Sequence, residues 1–91
     1  MADKIHTTSG KRIVVEPKNG KYYTLEEMQE IVGGYIEIIW LDRDDYMVIN
    51  EEGKLNGLPY NTSATALLRC VRPTDDFIVG DALVCHKSHL R

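Results

Sequence analysis

Gly57-Leu58-Pro59-Tyr60-Asn61-Thr62-Ser63 places an aromatic ring, an amide and two hydroxyls in a row. It leads into a segment of helical character from Ala64 to about Cys70. Amides and hydroxyls at the start of a helix, backed by the positive end of its dipole, suit a phosphate. Tyr60 and Trp40 offer flat surfaces on which a base could stack. Asn50, Lys54 and Arg69 add an amide and two cations. Trp40, Asn50, Lys54, Tyr60, Asn61, Thr62, Ser63 and Arg69 are therefore the candidate site, and its chemistry is the binding of a phosphate-bearing nucleotide. A purely architectural explanation is simpler: an Asn or Ser cap, a loop fixed by proline and two core aromatics. Most helix N-termini bind nothing but their own cap. Arg69 lies near the far end of the same helix, so from sequence it would serve only across a subunit boundary.

Other chemistry finds less support. Cys85-His86-Lys87-Ser88-His89 could offer metal ligands with Cys70 as a fourth, but no CxxC pair accompanies it. The spacing fits no zinc knuckle, and no metal or cofactor is expected. Asp42, Asp44, Asp45, Glu51 and Glu52 cluster in turn-like segments, where carboxylates are usually solvated and none is singled out as a general acid. The sequence has no GxxxxGK[ST], strand-linked GxGxxG, HExxH or GxSxG motif. A binding module is the expectation, and an enzyme is the minority reading.

The elements that must position these residues can be read from pattern. Residues 1–10 are polar and lack periodicity, and read as a frayed lead-in to a single domain over 11–91. Lys11 to Glu16 alternates as a strand, with Ile13 and Val15 on one side, and stops at Pro17 and the Asn19-Gly20 turn. Thr24-Leu25-Glu26-Glu27 is a capping box. The helix it opens has Leu25, Met28, Ile31 and Val32 as its apolar stripe and ends at Gly33-Gly34. Tyr35 to Leu41 and Tyr46 to Asn50 form a hairpin, each strand apolar on both faces. Gly53 supplies a turn with positive φ. Asn61, Thr62 and Ser63 are alternative caps of the second helix, which Pro73 terminates. Phe77 to Cys85 is the last strand, bent at Gly80-Asp81. The order β-α-β-β-α-β implies a two-layer α+β domain, its two short helices on one face of a mainly antiparallel sheet.

Composition sets bounds on function. Ninety-one residues hold one core, and a small core gains from oligomerisation. The net charge of −3 argues against sequence-independent nucleic-acid binding, which needs a basic excess. The longest apolar run, Ile38-Ile39-Trp40-Leu41, is far too short for a bilayer, and the N-terminus lacks the basic-then-apolar pattern of a signal peptide. A cytoplasmic protein with no membrane partner is expected. With both strand faces apolar and helices on one of them, the other face calls for a second copy, and a homo-oligomer is expected.

Three segments carry a family look. Leu25 to Glu37, LEEMQEIVGGYIE, resembles the "LQ.IVGGYIE" signature of a domain-of-unknown-function family from phages, prophages and mobile elements. Asn50 to Asn61, NEEGKLNGLPYN, is similar to its second signature, "NEEGKL.GLP.N", and Phe77 to Val84 to its closing "I.G...I" strand. The family prescribes no activity. The resemblance implies a small protein of a virus or mobile element acting in the bacterial host cytoplasm. By analogy of setting, it would be an anti-defence sponge for a nucleotide immune signal, such as a cyclic ADP-ribose-like molecule or a cyclic dinucleotide. A protein-interaction module that blocks a host defence enzyme is the alternative from a different class, and a nuclease or phosphodiesterase acting on the nucleotide signal is the weaker enzymatic one.

Overall fold

The computed structural model describes residues 2–90. In chain order the elements are β1 (Asp3–His6), β2 (Arg12–Val15), α1 (Leu25–Val32), β3 (Ile36–Trp40), β4 (Asp45–Asn50), α2 (Thr62–Val71) and β5 (Ala82–His86), followed by a 3-10 turn at Lys87–His89. The strands form one sheet in the order β2-β1-β5-β4-β3, every neighbouring pair antiparallel. The fold is α+β, with an antiparallel sheet and two short helices, as the pattern implied.

Local sequence explains the helices. The Thr24 hydroxyl accepts from the Glu27 amide at 3.1 Å, and the Glu27 carboxylate accepts from the Thr24 amide at 3.1 Å. This is the expected capping box at the start of α1. Gly33 closes the helix at φ 82°, a left-handed geometry that favours glycine, with its amide bonded to the Gln29 carbonyl. Met28 and Val32 are buried, whereas Leu25, expected in the same stripe, is 52% exposed.

The helices do not share a face of the sheet. Met28 and Val32 of α1 pack with Val48, Leu83 and Cys85. Ala64 and Leu68 of α2 pack with Met47 and Ala82, together with Leu41 and Ile78. Val48 and Met47 are adjacent on β4, as are Leu83 and Ala82 on β5, so the two sets point to opposite sides. The second apolar face therefore finds a helix in its own chain, and the argument that it needs a second copy falls.

Residues 3–6, expected within a frayed lead-in, instead form β1 between β2 and β5. Asp3 is buried there and accepts three bonds: from the Tyr23 hydroxyl at 2.7 Å, the His86 amide at 3.1 Å and His89 Nδ1 at 2.5 Å. The last strand is also shorter than expected. Gly80 turns at φ 76°, so only an isolated bridge between Tyr60 and Val79 precedes β5. Gly57, and not Gly53, supplies the positive φ of the 51–60 loop. Gly53 serves by close approach, since a Cβ there would sit 2.9 Å from Val79 Cγ2.

Candidate functional site

Side chains alternate along each strand, and the register fixes which of them share the α2 side. Asp45, Met47 and Ile49 of β4 lie there, with Ala82 and Val84 of β5, Lys4 and His6 of β1, and Arg12 and Val14 of β2. The helix covers Met47 and Ala82 but not the β1–β2 end of that face. Between α2 and the uncovered strands runs a groove of about 510 Å³. That volume falls within the usual range for small-molecule sites. Its apolar lining comes from Leu41, Ala66, Leu67, Val71 and Val84.

The polar lining is segregated. Register places His6 beside Arg12 and Ala82 toward one end, and Asp45 beside His86 toward the other, with Lys4 and Val84 between. Ser63, in the first turn of α2, joins the cationic end, and Asp42 joins Asp45 at the acidic end. Ser63 Oγ lies 2.5 Å from His6 Nδ1 and accepts from Arg12 Nε at 3.3 Å. A guanidinium can only donate. The hydrogen-bond network is satisfied by a neutral His6 ring whose Nδ1 accepts the Ser63 proton. Burial, then the charges of Arg12 and Lys4, hold the His6 pKa below its usual value. At the acidic end, burial and then the Asp42 charge raise the Asp45 pKa.

The residues singled out from sequence divide into separate groups. Asn61 is fully buried, its Oδ1 accepting from the Ala64 amide at 2.9 Å. Its Nδ2 donates to the carbonyls of His6 and Gly80, both at 2.8 Å. It ties β1, α2 and the Gly80 bend together and presents nothing to the groove. Thr62 is exposed at the start of α2, and Ser63 alone of the eight lines the groove. Lys54, Tyr60 and Arg69 converge on residues 75–77. Lys54 pairs with Asp76 at 2.5 Å and sits 4.3 Å from the Phe77 ring centre. Tyr60 stacks on Phe77 at 5.9 Å, and Arg69 donates to the Asp75 and Asp76 carbonyls at 3.0 Å. Arg69 thus meets the partner of Lys54 within one chain, because residues 75–76 fold back along α2. A cleft of about 190 Å³ beside Lys54 and Asp76 is smaller than most ligand sites.

Asn50 is buried, donating to the Val32 carbonyl at 3.2 Å and accepting from the Glu52 amide at 2.8 Å. It holds the end of α1 to the turn after β4. Trp40 stands apart on β3, packed edge-on against Tyr46 at 4.5 Å. Cys70 is exposed on α2 and Cys85 is buried on the α1 side, so the two thiols lie on opposite sides of the sheet. Among the described residues no three His, Cys, Asp or Glu side chains converge as metal ligands.

A family model described as a domain of unknown function (DUF3846) matches residues 5–89. The chain belongs to the DUF3846 family. No curated protein and no solved structure matches it. The DUF3846 match runs from within β1 to the 3-10 turn and so takes in His6, Arg12 and Ser63. Lys4, His6 and Arg12 were not among the residues that sequence reasoning picked out. The only available signal was the alternation Lys4-Ile5-His6, with a single apolar residue. Among the described residues, no helix of this DUF3846 domain is long and apolar enough to cross a membrane.

Proposed function

We propose that the groove between α2 and the β1–β2 end of the sheet binds a phosphate-bearing nucleotide, and that the protein acts by sequestering it. The observation that carries this reading is the polarity of the groove. Arg12, His6 and the first turn of α2 gather at one end of an apolar trough, Asp42 and Asp45 lie at the other, and Lys4 stands between them. A phosphate at the first end would accept charge-assisted bonds from the Arg12 guanidinium, which Ser63 helps to position, and from the Lys4 ammonium reaching in from the middle of the trough. Ribose hydroxyls or a base amino group at the second end would meet carboxylates that accept. Leu41, Leu67 and Val71 offer apolar surface between them. Sequestration requires no catalytic group. The phage and mobile-element setting implied by the two signatures makes host nucleotide signals the class to test first.

The test is isothermal titration and thermal shift with cyclic dinucleotides, cyclic ADP-ribose isomers and ADP-ribose. A ligand at a hundred times its Kd stabilises the fold by about 2.7 kcal/mol. Arg12→Ala should weaken binding at least about tenfold, the scale of one charge-assisted bond. Intact ligand recovered after heating supports a sponge, and hydrolysed ligand supports a phosphodiesterase. No response to any nucleotide, with a host protein co-purifying, would favour the interaction module instead.

A further inference from the structure

The antiparallel ladder between β3 and β4 leaves one edge of the sheet open in a defined way. The Glu51 amide donates to the Tyr35 carbonyl at 2.8 Å, and the Leu41 amide to the Asp45 carbonyl at 3.0 Å. The register between these bonds is continuous from Ile36↔Asn50 to Trp40↔Tyr46. Hydrogen-bonded and non-bonded pairs alternate in such a ladder. The odd residues of β3 therefore bond to β4, and the N–H and C=O groups of Ile36, Ile38 and Trp40 point away from the sheet.

We propose that β3 is the seam of a homodimer: two copies pair edge to edge, antiparallel, about a twofold axis at Ile38. Their two sheets become one continuous sheet. In this register Ile38 exchanges both backbone bonds with Ile38 of the second copy; the Ile36 carbonyl accepts from Trp40 of the second copy, and the Ile36 amide shares that copy's Trp40 carbonyl, which has two lone pairs, with Arg72. No other twofold centre uses all three outward residues. The proposal does not depend on what the groove binds.

The side chains at this edge fit a second copy. On the α1 side, Ile38 is 43% exposed and Trp40 56%, and both are large apolar groups on an edge strand. Pairing sets Ile36 and Ile38 of one copy against Trp40 and Ile38 of the other, an apolar row that closes on itself. Leu25 and Tyr35 (66% exposed) flank the same strand. Edge strands that stay unpaired are usually guarded by charge, proline or a bulge. The opposite edge, β2, has Lys11 and Arg12 at its start and Pro17 just beyond it, whereas β3 carries Glu37 alone.

Charge also matches. The twofold at Ile38 places Glu37 opposite Ile39 of the second copy and only diagonal to its own mate, so like charges are not directly paired. Arg72 bonds the outward carbonyl of Trp40 through its guanidinium. In the pair, Trp40 stands opposite Ile36 of the second copy, which brings Glu37 of that copy next to Arg72 on the α2 side. The relation occurs twice by symmetry, an isologous contact.

Light scattering on the full chain tests this at concentrations up to about 100 μM, where even a weak specific pair is populated. The expected mass is twice the 10.4 kDa of one chain. Ile38→Pro removes an outward N–H and an apolar side chain of the seam but no β3–β4 backbone bond, so the ladder is kept and the mass should halve. Glu37→Arg and Arg72→Glu should each weaken the dimer at least about tenfold, and the double exchange should restore it. The charge variants decide the matter should the proline variant fail to fold. A wild-type mass of one chain at every concentration overturns the proposal. So does a dimer that survives Ile38→Pro and both single charge exchanges, since its seam would lie elsewhere.

Discussion

The Ser63 hydroxyl lies 2.5 Å from Nδ1 of His6, fifty-seven residues away in sequence. This contact fastens the first turn of α2 to β1 and sets the cationic end of the groove. Arg12 completes it by donating to the same hydroxyl. A strand that looks like a polar tail in sequence thereby becomes one wall of the candidate site.

His6 gives the fold a pH dependence. Its folded pKa is lowered, first by burial and then by Arg12 and Lys4, so the unfolded chain takes up a proton more readily. The stability it contributes is present above the unfolded value of about 6.5 and is lost as pH falls through the lower folded value. The midpoint of urea unfolding should fall between pH 7 and the folded pKa, and His6→Gln should flatten that part of the profile. An unchanged profile in His6→Gln would show that the ring does not titrate with folding.

Asn61→Ala should cost about 2–4 kcal/mol, more than an ordinary cap of about 1 kcal/mol. It removes the cap of α2 and leaves the His6 and Gly80 carbonyls without their buried donor. Ser63→Ala, at a half-buried position, should cost under about 1 kcal/mol. Denaturant titration of the two variants separates them, and equal losses would contradict the buried node.

Asp3→Ala should destabilise by about 3 kcal/mol, because Tyr23, His86 and His89 all lose their acceptor. Tyr23→Phe removes one of those bonds and should cost about 1 kcal/mol. Urea unfolding at pH 7 measures both. An Asp3→Ala variant as stable as the wild type would mean that β1 is not held at this carboxylate.

The two thiols should react unequally. Cys70 is exposed, whereas Cys85 is buried and its pKa is pushed up to about 12, chiefly by that burial. Iodoacetamide on the native protein at pH 8 should label Cys70 and leave Cys85 untouched until denaturant is added. Mass spectrometry after digestion reads the sites. Rapid native labelling of Cys85 would contradict its place in the α1-side core.

What was legible in sequence was mostly local. The capping box at Thr24 and Glu27 and the β3–β4 hairpin each depend on a few neighbouring residues and form as read, while the structure selects Gly33 from the Gly33-Gly34 pair as the left-handed cap and Asn61 from the three candidate N-caps. What was not legible depends on distant partners. Asp3 and His6 sit at buried positions because Tyr23, His89 and Ser63 reach them, and no window around Asp3 contains those residues. Binary patterning therefore reads β1 as a tail. The apolar character of both β4 faces was visible, but not that α2 would cross to the side opposite α1. Of the candidate site, Ser63 was found through its place at the helix start. Lys4, His6 and Arg12 were missed because the groove exists only once β1 enters the sheet. Asn50 and Asn61, chosen as ligand groups, have their amides engaged inside the fold.

The central claim is that a phosphate-bearing nucleotide occupies the groove with its phosphate at Arg12. The most direct measurement is titration of the wild type and Arg12→Ala with the nucleotide panel, followed by calorimetry at two salt concentrations. The account expects at least one nucleotide to bind the wild type, to bind Arg12→Ala at least about tenfold more weakly, and to lose affinity as salt rises. Absence of binding by every nucleotide tested, or an affinity that Arg12→Ala leaves unchanged, would contradict it.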